Sequence, residues 1–200
     1  CDVVPLIGLN RAIVKQGLKV LRSKKNLGLK TLIDLCGIEV SPNVYHLGYI
    51  LGPRINAGGR VGRSSHGANL LLKTNPRDVY KIAIELEQFN KERKYLEEDV
   101  LDKILKNSKI NSSDPVIILS GNNWHEGVIG IVASKIKEKF NKPVVIISIN
   151  SGIGKASARS IEGFDIGSAI ISATQKKIII KGGGHKLSLI HISEPTRHRG

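Results

Sequence analysis

Methionine is absent from all 200 residues. A chain without an initiator residue is expected to be an internal or processed piece of a longer reading frame. Cysteine is nearly as scarce, since Cys1 and Cys36 are the only two, too few and too isolated for a disulfide framework or a structural zinc site. That points to a reducing, cytoplasmic setting. Aromatic residues make up 4% of the chain, and beside abundant Ile, Val and Leu this poverty favours α/β layers over an aromatic-rich sandwich. No apolar run reaches the ~18 residues of a membrane span. Arg11, Lys15 and Lys19 interrupt the start where a signal peptide would need its apolar stretch. No membrane partner is therefore expected.

Acidic residues are also in deficit, with 17 Asp/Glu against 31 Lys/Arg and a net charge of +14. The excess is not spread evenly. Residues 1–75 carry eleven basic against three acidic residues, 76–106 carry seven against eight, and 107–200 carry thirteen against six. Two basic lobes flanking a neutral connector suit a polyanion, bound with an affinity that falls steeply with salt. The plainer alternative is surface lysine that only keeps the protein soluble.

The stretch around which the chain is organised is Val116 to Phe140. Val116 to Leu119 form an apolar, β-branched run expected to be a strand covered on both faces, and Ser120 to Asn123 supply a turn. Val128, Ile131, Val132, Ile136 and Phe140 then recur at helical spacing, and a second apolar run spans Val144 to Ile149. Strand, helix, strand predicts a βαβ unit in a sheet that is at least partly parallel. Trp124, His125 and Glu126 fall between strand end and helix start, the edge where open α/β sheets bind ligands and where free amides favour an anion. The simpler reading makes Trp124 a core anchor and His125 a helix-start residue bonded to backbone.

Upstream, Gly8 to Asn10 read as a turn and Arg11 to Lys25 as a helix with Ile13, Leu18 and Leu21 on its apolar stripe. A helix over Lys30 to Cys36 closes at Gly37. Leu51 to Gly62, LGPRINAGGRVG, holds four glycines and a proline and is expected to be a shaped loop presenting Arg54, Asn56 and Arg60. Asn75 and Pro76 mark the start of the longest helix, to Lys106, whose apolar positions Val79, Ile82, Leu86, Phe89, Leu96 and Val100 are interrupted by Arg93. At about 45 Å it reads as a connector, with a coiled-coil dimer seam as the alternative.

Downstream, Ser151 to Ser160 resembles a Walker loop only superficially. Ile149 stands where that motif needs its first Gly and Ala156 where it needs Ser or Thr, so the nucleotide-triphosphatase reading fails. Lys155, Ser157 and Arg159 remain as donors able to hold a phosphate. A helix is expected from near Asp165. Lys181 to His185, KGGGH, is expected to form a nest of glycine amides beside an imidazole.

DVVPL, GPRINAGGR, NWHEGVIGIVA, SARS and GGGH together, in this order, resemble the RecJ family of single-strand-specific 5′ exonucleases, in the DHH phosphoesterase superfamily. The resemblance covers residues 1 to about 185. It implies an α/β fold: the C-terminal part of a DHH domain (1–75), a connecting helix (76–106) and a DHH-associated, substrate-binding domain with a mixed sheet (107–186). It implies Mn2+ or Mg2+ as cofactor, held mostly by residues not in this chain, with Asp2 as the matching metal ligand. No residue here is expected to be catalytic, because neither a DHH triplet nor a DxD pair occurs, so the chain alone should not hydrolyse anything.

By the same resemblance Arg54 and Asn56 would line the cleft between the lobes, and Arg60 of the same glycine-rich stretch is a further substrate-binding candidate. His125, Ser157 and Arg159 would contact the terminal phosphate or backbone, and Gly183, Gly184 and His185 would hold the strand. Gly58 stands where many relatives carry Ala. The implied partner is single-stranded DNA, with a single-strand-binding protein or helicase in repair and recombination. Two other readings are a DHH-family oligonucleotide or nucleotide phosphatase and a non-catalytic strand-binding module.

The family pattern breaks after GGGH. LSLIHISEPTR resembles translated sequencing-adapter read-through, so 187–200 is expected to be a foreign tail packing on nothing. His185, His191 and His198 are not expected to form a metal site.

Overall fold

In the computed structural model the chain forms two units, Cys1–Lys94 and Tyr95–Gly200. The structure describes residues 4–107, 110–111, 113–185 and 188–193, and from 184 onward the backbone alone. The first unit is helical. α1 (Gly8–Arg22), α2 (Leu27–Leu35), a π-helical segment (His46–Leu51), α3 (Gly52–Val61) and α4 (His66–Leu72) precede α5 (Pro76–Asn107), which runs on into the second unit. Leu21, Leu32, Ile33, Leu51, Leu70, Val79 and Leu86 make the core. Asn75 caps α5 by accepting from Arg77 N at 2.9 Å, as the Asn-Pro pair predicts.

Three expectations here are overturned. Gly8 to Asn10 are not a turn but the first residues of α1, and Ile13 is exposed, off the buried stripe that keeps Leu21. The glycine-rich stretch is not a loop either. It is α3, with Pro53 in the first turn, where a missing N–H costs nothing. Two glycines of the stretch, Gly58 and Gly62, provide clearance. A β-carbon on Gly58 would lie 2.8 Å from Arg63 O, and one on Gly62 2.5 Å from the Phe89 ring. The helical cost of glycine is accepted because α3 and its neighbours approach more closely than any side chain permits.

The second unit is a five-stranded sheet in the order β1-β2-β3-β5-β4. β1 (Ile117–Asn122) pairs in parallel with β2 (Val144–Asn150), and α6 (Glu126–Phe140) crosses between them. This is the predicted βαβ unit. β3 (Ile153–Arg159) is antiparallel to β2, and β5 (Ser188–Ser193) is antiparallel to both β3 and β4 (Lys181–His185), so the sheet is mixed, as expected. α6 buries Val128, Val132 and Ile136. α7 (Ile166–Gln175) packs Ile166 with Ala158 and Val145, capped by Asp165, which accepts from Ser168 N at 3.0 Å.

Three further expectations change. β1 is not covered on both faces: it is an edge strand, and Ile118 is 64% exposed. KGGGH is not a nest but strand β4, whose extended backbone cannot converge its amides as an αR-αL alternation does. Residues 188–193, expected to pack on nothing, form β5 inside the sheet. Ser-Leu-Ile-His-Ile-Ser is rich in strand-favouring residues, and strand pairing responds to that chemistry whatever the segment's origin. Among the described residues no helix is long and apolar enough to cross a membrane.

Candidate nucleic-acid interface

The turn after β1 builds the entrance to α6. Asn123 takes a left-handed backbone with φ of 58°, and Gly121 makes room for the indole of Trp124, since a β-carbon there would stand 2.7 Å from the indole nitrogen and closer to its ring carbons. Trp124 is 8% exposed, and its carbonyl accepts from Ser148 Oγ at 2.5 Å. His125 is the N-cap of α6, its Nδ1 accepting from Gly127 N at 3.1 Å. The simpler reading of Trp124 and His125 therefore describes their structural roles. With Nδ1 accepting, a neutral ring carries its proton on Nε2.

Further along α6 the helix meets β3. Arg159 lies on this face of β3 and is held by neighbours: Nη1 donates to Ser157 Oγ at 3.2 Å and to Ala158 O at 2.8 Å, and Nε donates to Ser134 Oγ at 3.2 Å. Ser157 is buried. Above the pair sits Gly130, whose absent β-carbon would be 3.0 Å from Ser157 Oγ and 3.1 Å from Arg159 Nη2. At the strand's other end Lys155 Nζ meets Glu126 Oε2 at 2.8 Å, both groups well exposed, so this pair contributes at most about 1 kcal/mol.

The sheet register extends this patch. Ile146, Ser157, Ile190 and Gly183 lie in one row across β2, β3, β5 and β4, and Val144, Arg159, Ser188 and His185 lie in another. Two strand spacings separate Ser157 from Gly183, roughly 10 Å. The Ser-Ala-Arg and Gly-Gly-Gly-His motifs, distant in sequence, thus share adjacent backbone rows. Gly184 lies in the intervening row with Leu189 and Ala158.

The first unit holds its candidates differently. Arg54 faces α5, with Nε donating to Glu87 Oε2 at 2.5 Å and Nη1 to Ile50 O at 2.8 Å. Asn56 and Arg60, one turn apart on α3, are exposed, and the helix does not place Arg54 on their face. Asp2 and His198 lie outside the described residues. Among the described residues no group of three His, Cys, Asp or Glu side chains could hold a metal ion, so the donor set present does not fit the implied Mn2+ or Mg2+. Gly130 and Ser134 escaped sequence reasoning. Their signal is the spacing of two small residues one turn apart on α6, which marks where a helix approaches something closely.

Residues 113–188 match the model of the DHHA1 domain. The chain is 35% identical over 191 residues to the single-stranded-DNA-specific exonuclease RecJ of Bacillus subtilis, a match covering 94% of this chain and 24% of that protein. It is 34% identical to RecJ of Haemophilus influenzae, covering 94% and 34%. The crystal structure of RecJ in complex with Mn2+ from Thermus thermophilus superposes with a TM-score of 0.85 at 32% identity, over 96% of this chain and 28% of that one. The chain belongs to the RecJ family. It spans about a quarter to a third of the length of these curated RecJ proteins. A RecJ structure with Mg2+ from the same organism superposes equally well, with a TM-score of 0.85. The Ser157, Arg159 and Gly183 patch thus lies within the residues that match the DHHA1 domain.

Proposed function

We propose that this chain is the strand-holding part of a single-stranded-DNA-specific 5′ exonuclease, and that it grips the strand through phosphates. The observation that carries the reading is the shared register that sets Ser157 and Arg159 in the same backbone rows as Gly183 and His185, two strands away on β4, with Gly130 of α6 leaving room over Ser157 and Arg159. A guanidinium held in place by its neighbours sets a fixed positive charge towards a phosphate. A glycine strand lets a backbone approach closely. With aromatics at 4% of the chain, phosphate contacts outweigh base stacking, so binding is insensitive to sequence.

His125 presents its Nε2–H to the same strand, and Asn56 and Arg60 supply phosphate contacts from α3. Divalent metal, Mn2+ or Mg2+ as in the RecJ structures, is held by residues outside the described set. The whole protein acts in DNA repair and recombination in the cytoplasm. Because its sequence holds neither a DHH triplet nor a DxD pair, this chain by itself binds without cleaving.

The test is equilibrium binding of the full chain to an oligothymidylate and to a duplex of equal length, between about 50 and 200 mM salt. The single strand binds more tightly, and its affinity falls steeply as salt rises. Equal affinity for both forms, or a flat salt response, overturns the reading.

A further inference from the structure

We infer that Ser148 is a positioning residue, which holds the Trp124–His125 peptide so that the His125 ring meets the strand already aligned. The inference rests on the proposed strand contact of His125 and adds a residue that never touches DNA. Ser148 has no exposed surface. Its Oγ donates its single proton to Trp124 O at 2.5 Å and accepts from Asn150 Nδ2 at 3.2 Å. The other hydrogen of Asn150 Nδ2 reaches Glu126 Oε1 at 3.4 Å, and Lys155 Nζ donates to the second oxygen of that carboxylate at 2.8 Å. Both neighbours of His125 are thus tied back to the sheet, Trp124 through its carbonyl and Glu126 through its side chain.

A peptide unit is planar, so fixing the Trp124 carbonyl also fixes the His125 N–H. With that plane set and His125 at φ of −68° and ψ of 119°, the imidazole leaves the backbone in the direction that lets Nδ1 accept from Gly127 N at 3.1 Å. Nε2–H is then the outward donor. Arg159 spends Nε and Nη1 on its neighbours, whereas no described residue bonds His125 Nε2. Without Ser148 the ring keeps its chemistry, but its direction must be selected at the moment of binding.

The test measures how a 5′-phosphorylated oligothymidylate of about 12 nucleotides binds the full chain, S148A, H125S and the double variant, beside the ring-nitrogen NMR signals of His125 in a buffer that keeps the ring neutral. Serine at position 125 can still cap α6 but has no imidazole. S148A weakens binding about fivefold at an unchanged salt slope, because no charge is lost, and its ring nitrogens move away from the pure Nε2–H pattern. In the H125S background the same substitution costs nothing further. A packing role would not depend on the imidazole.

If S148A binds like the parent chain, or weakens binding equally in both backgrounds, Ser148 does not act through His125 and the proposal falls while the strand-binding reading stands. If H125S binds like the parent, His125 makes no strand contact and the inference falls with it; preference for single strands is decided separately, by the salt titration of the parent chain. The parent also provides a check that needs no variant. Ring nitrogens that average between the two tautomers there overturn the proposal.

Discussion

Replacing one glycine by alanine at two sites separates the two things glycine does in the helical unit. Gly28 lies in α2 against α4, and a β-carbon there would sit 2.7 Å from the carbonyl carbon of Leu70 and closer still to its oxygen. Both partners are backbone, so no side chain can swing aside. The nearer oxygen sets the requirement, and restoring ordinary contact of about 3.5 Å needs α2 and α4 to part by about 1.5 Å, which unseats the neighbouring Leu32, Ile33 and Leu70, all with no exposed surface. Overpacking of this kind costs up to about 3 kcal/mol, offset by about 1 kcal/mol for better helix propensity. Gly28→Ala should therefore lower stability by about 2 kcal/mol. Gly17, in α1, has nothing within 4 Å of its would-be β-carbon, so Gly17→Ala should raise stability by about 0.5–1 kcal/mol. Urea denaturation followed by circular dichroism at the helical band measures both through the midpoint at unchanged slope. A Gly28→Ala chain as stable as the parent, or two substitutions with the same sign, would refute the packing account of these glycines.

Other substitutions probe other parts. Gly121→Ala should push the Trp124 indole out of its seat, shifting its fluorescence to the red and costing about 1–3 kcal/mol; unchanged emission would show that the turn tolerates a β-carbon. Arg54→Ala should cost about 1–3 kcal/mol, because the half-buried Glu87 carboxylate loses its nearer partner and is left with Lys91 at 3.9 Å. An unaffected melting temperature combined with lost DNA binding would instead make Arg54 a strand contact. The Cys36 thiol is pushed above the ordinary range by burial, with Arg54 opposing the rise and Glu87 adding to it. A group raised in the folded state holds its proton longer there than in the unfolded chain. Stability should thus be intact below about pH 8.5 and decline as pH climbs towards the folded-state value, a slope that Cys36→Ala removes in pH-dependent urea melts.

Much of the second unit was legible because its strands and α6 have simple periodicities. Val144 to Ile149 and the spacing of Val128, Val132 and Ile136 lead directly to a parallel βαβ pair. Of the three expected donors Ser157 and Arg159 meet on β3 while Lys155 pairs with Glu126 at the strand's other end, and the contact of Arg159 with Ser134 was not legible. That contact spans 25 residues and leaves only a small residue as its trace. The glycine-rich segments misled for a shared reason. Counting glycines weighs their conformational entropy, yet at Gly58 and Gly62 the deciding term is clearance for Arg63 and Phe89, which only the tertiary arrangement reveals. In β4 the same residue type lies in an extended ladder with β5. Reading Leu189 and Ile190 by where such a sequence comes from overlooks how well it pairs.

The strand order sets a timetable for assembly. β5 is made after β4 yet lies between it and β3, so the outermost ribbon has no strand of the sheet to pair with until residue 193 is available. During synthesis β3 presents an open border, with the glycine ribbon trailing beside it. A nascent chain halted before Ser188 would display that border to any other extended peptide within reach, and the final residues of the ladder act as the clasp that closes it.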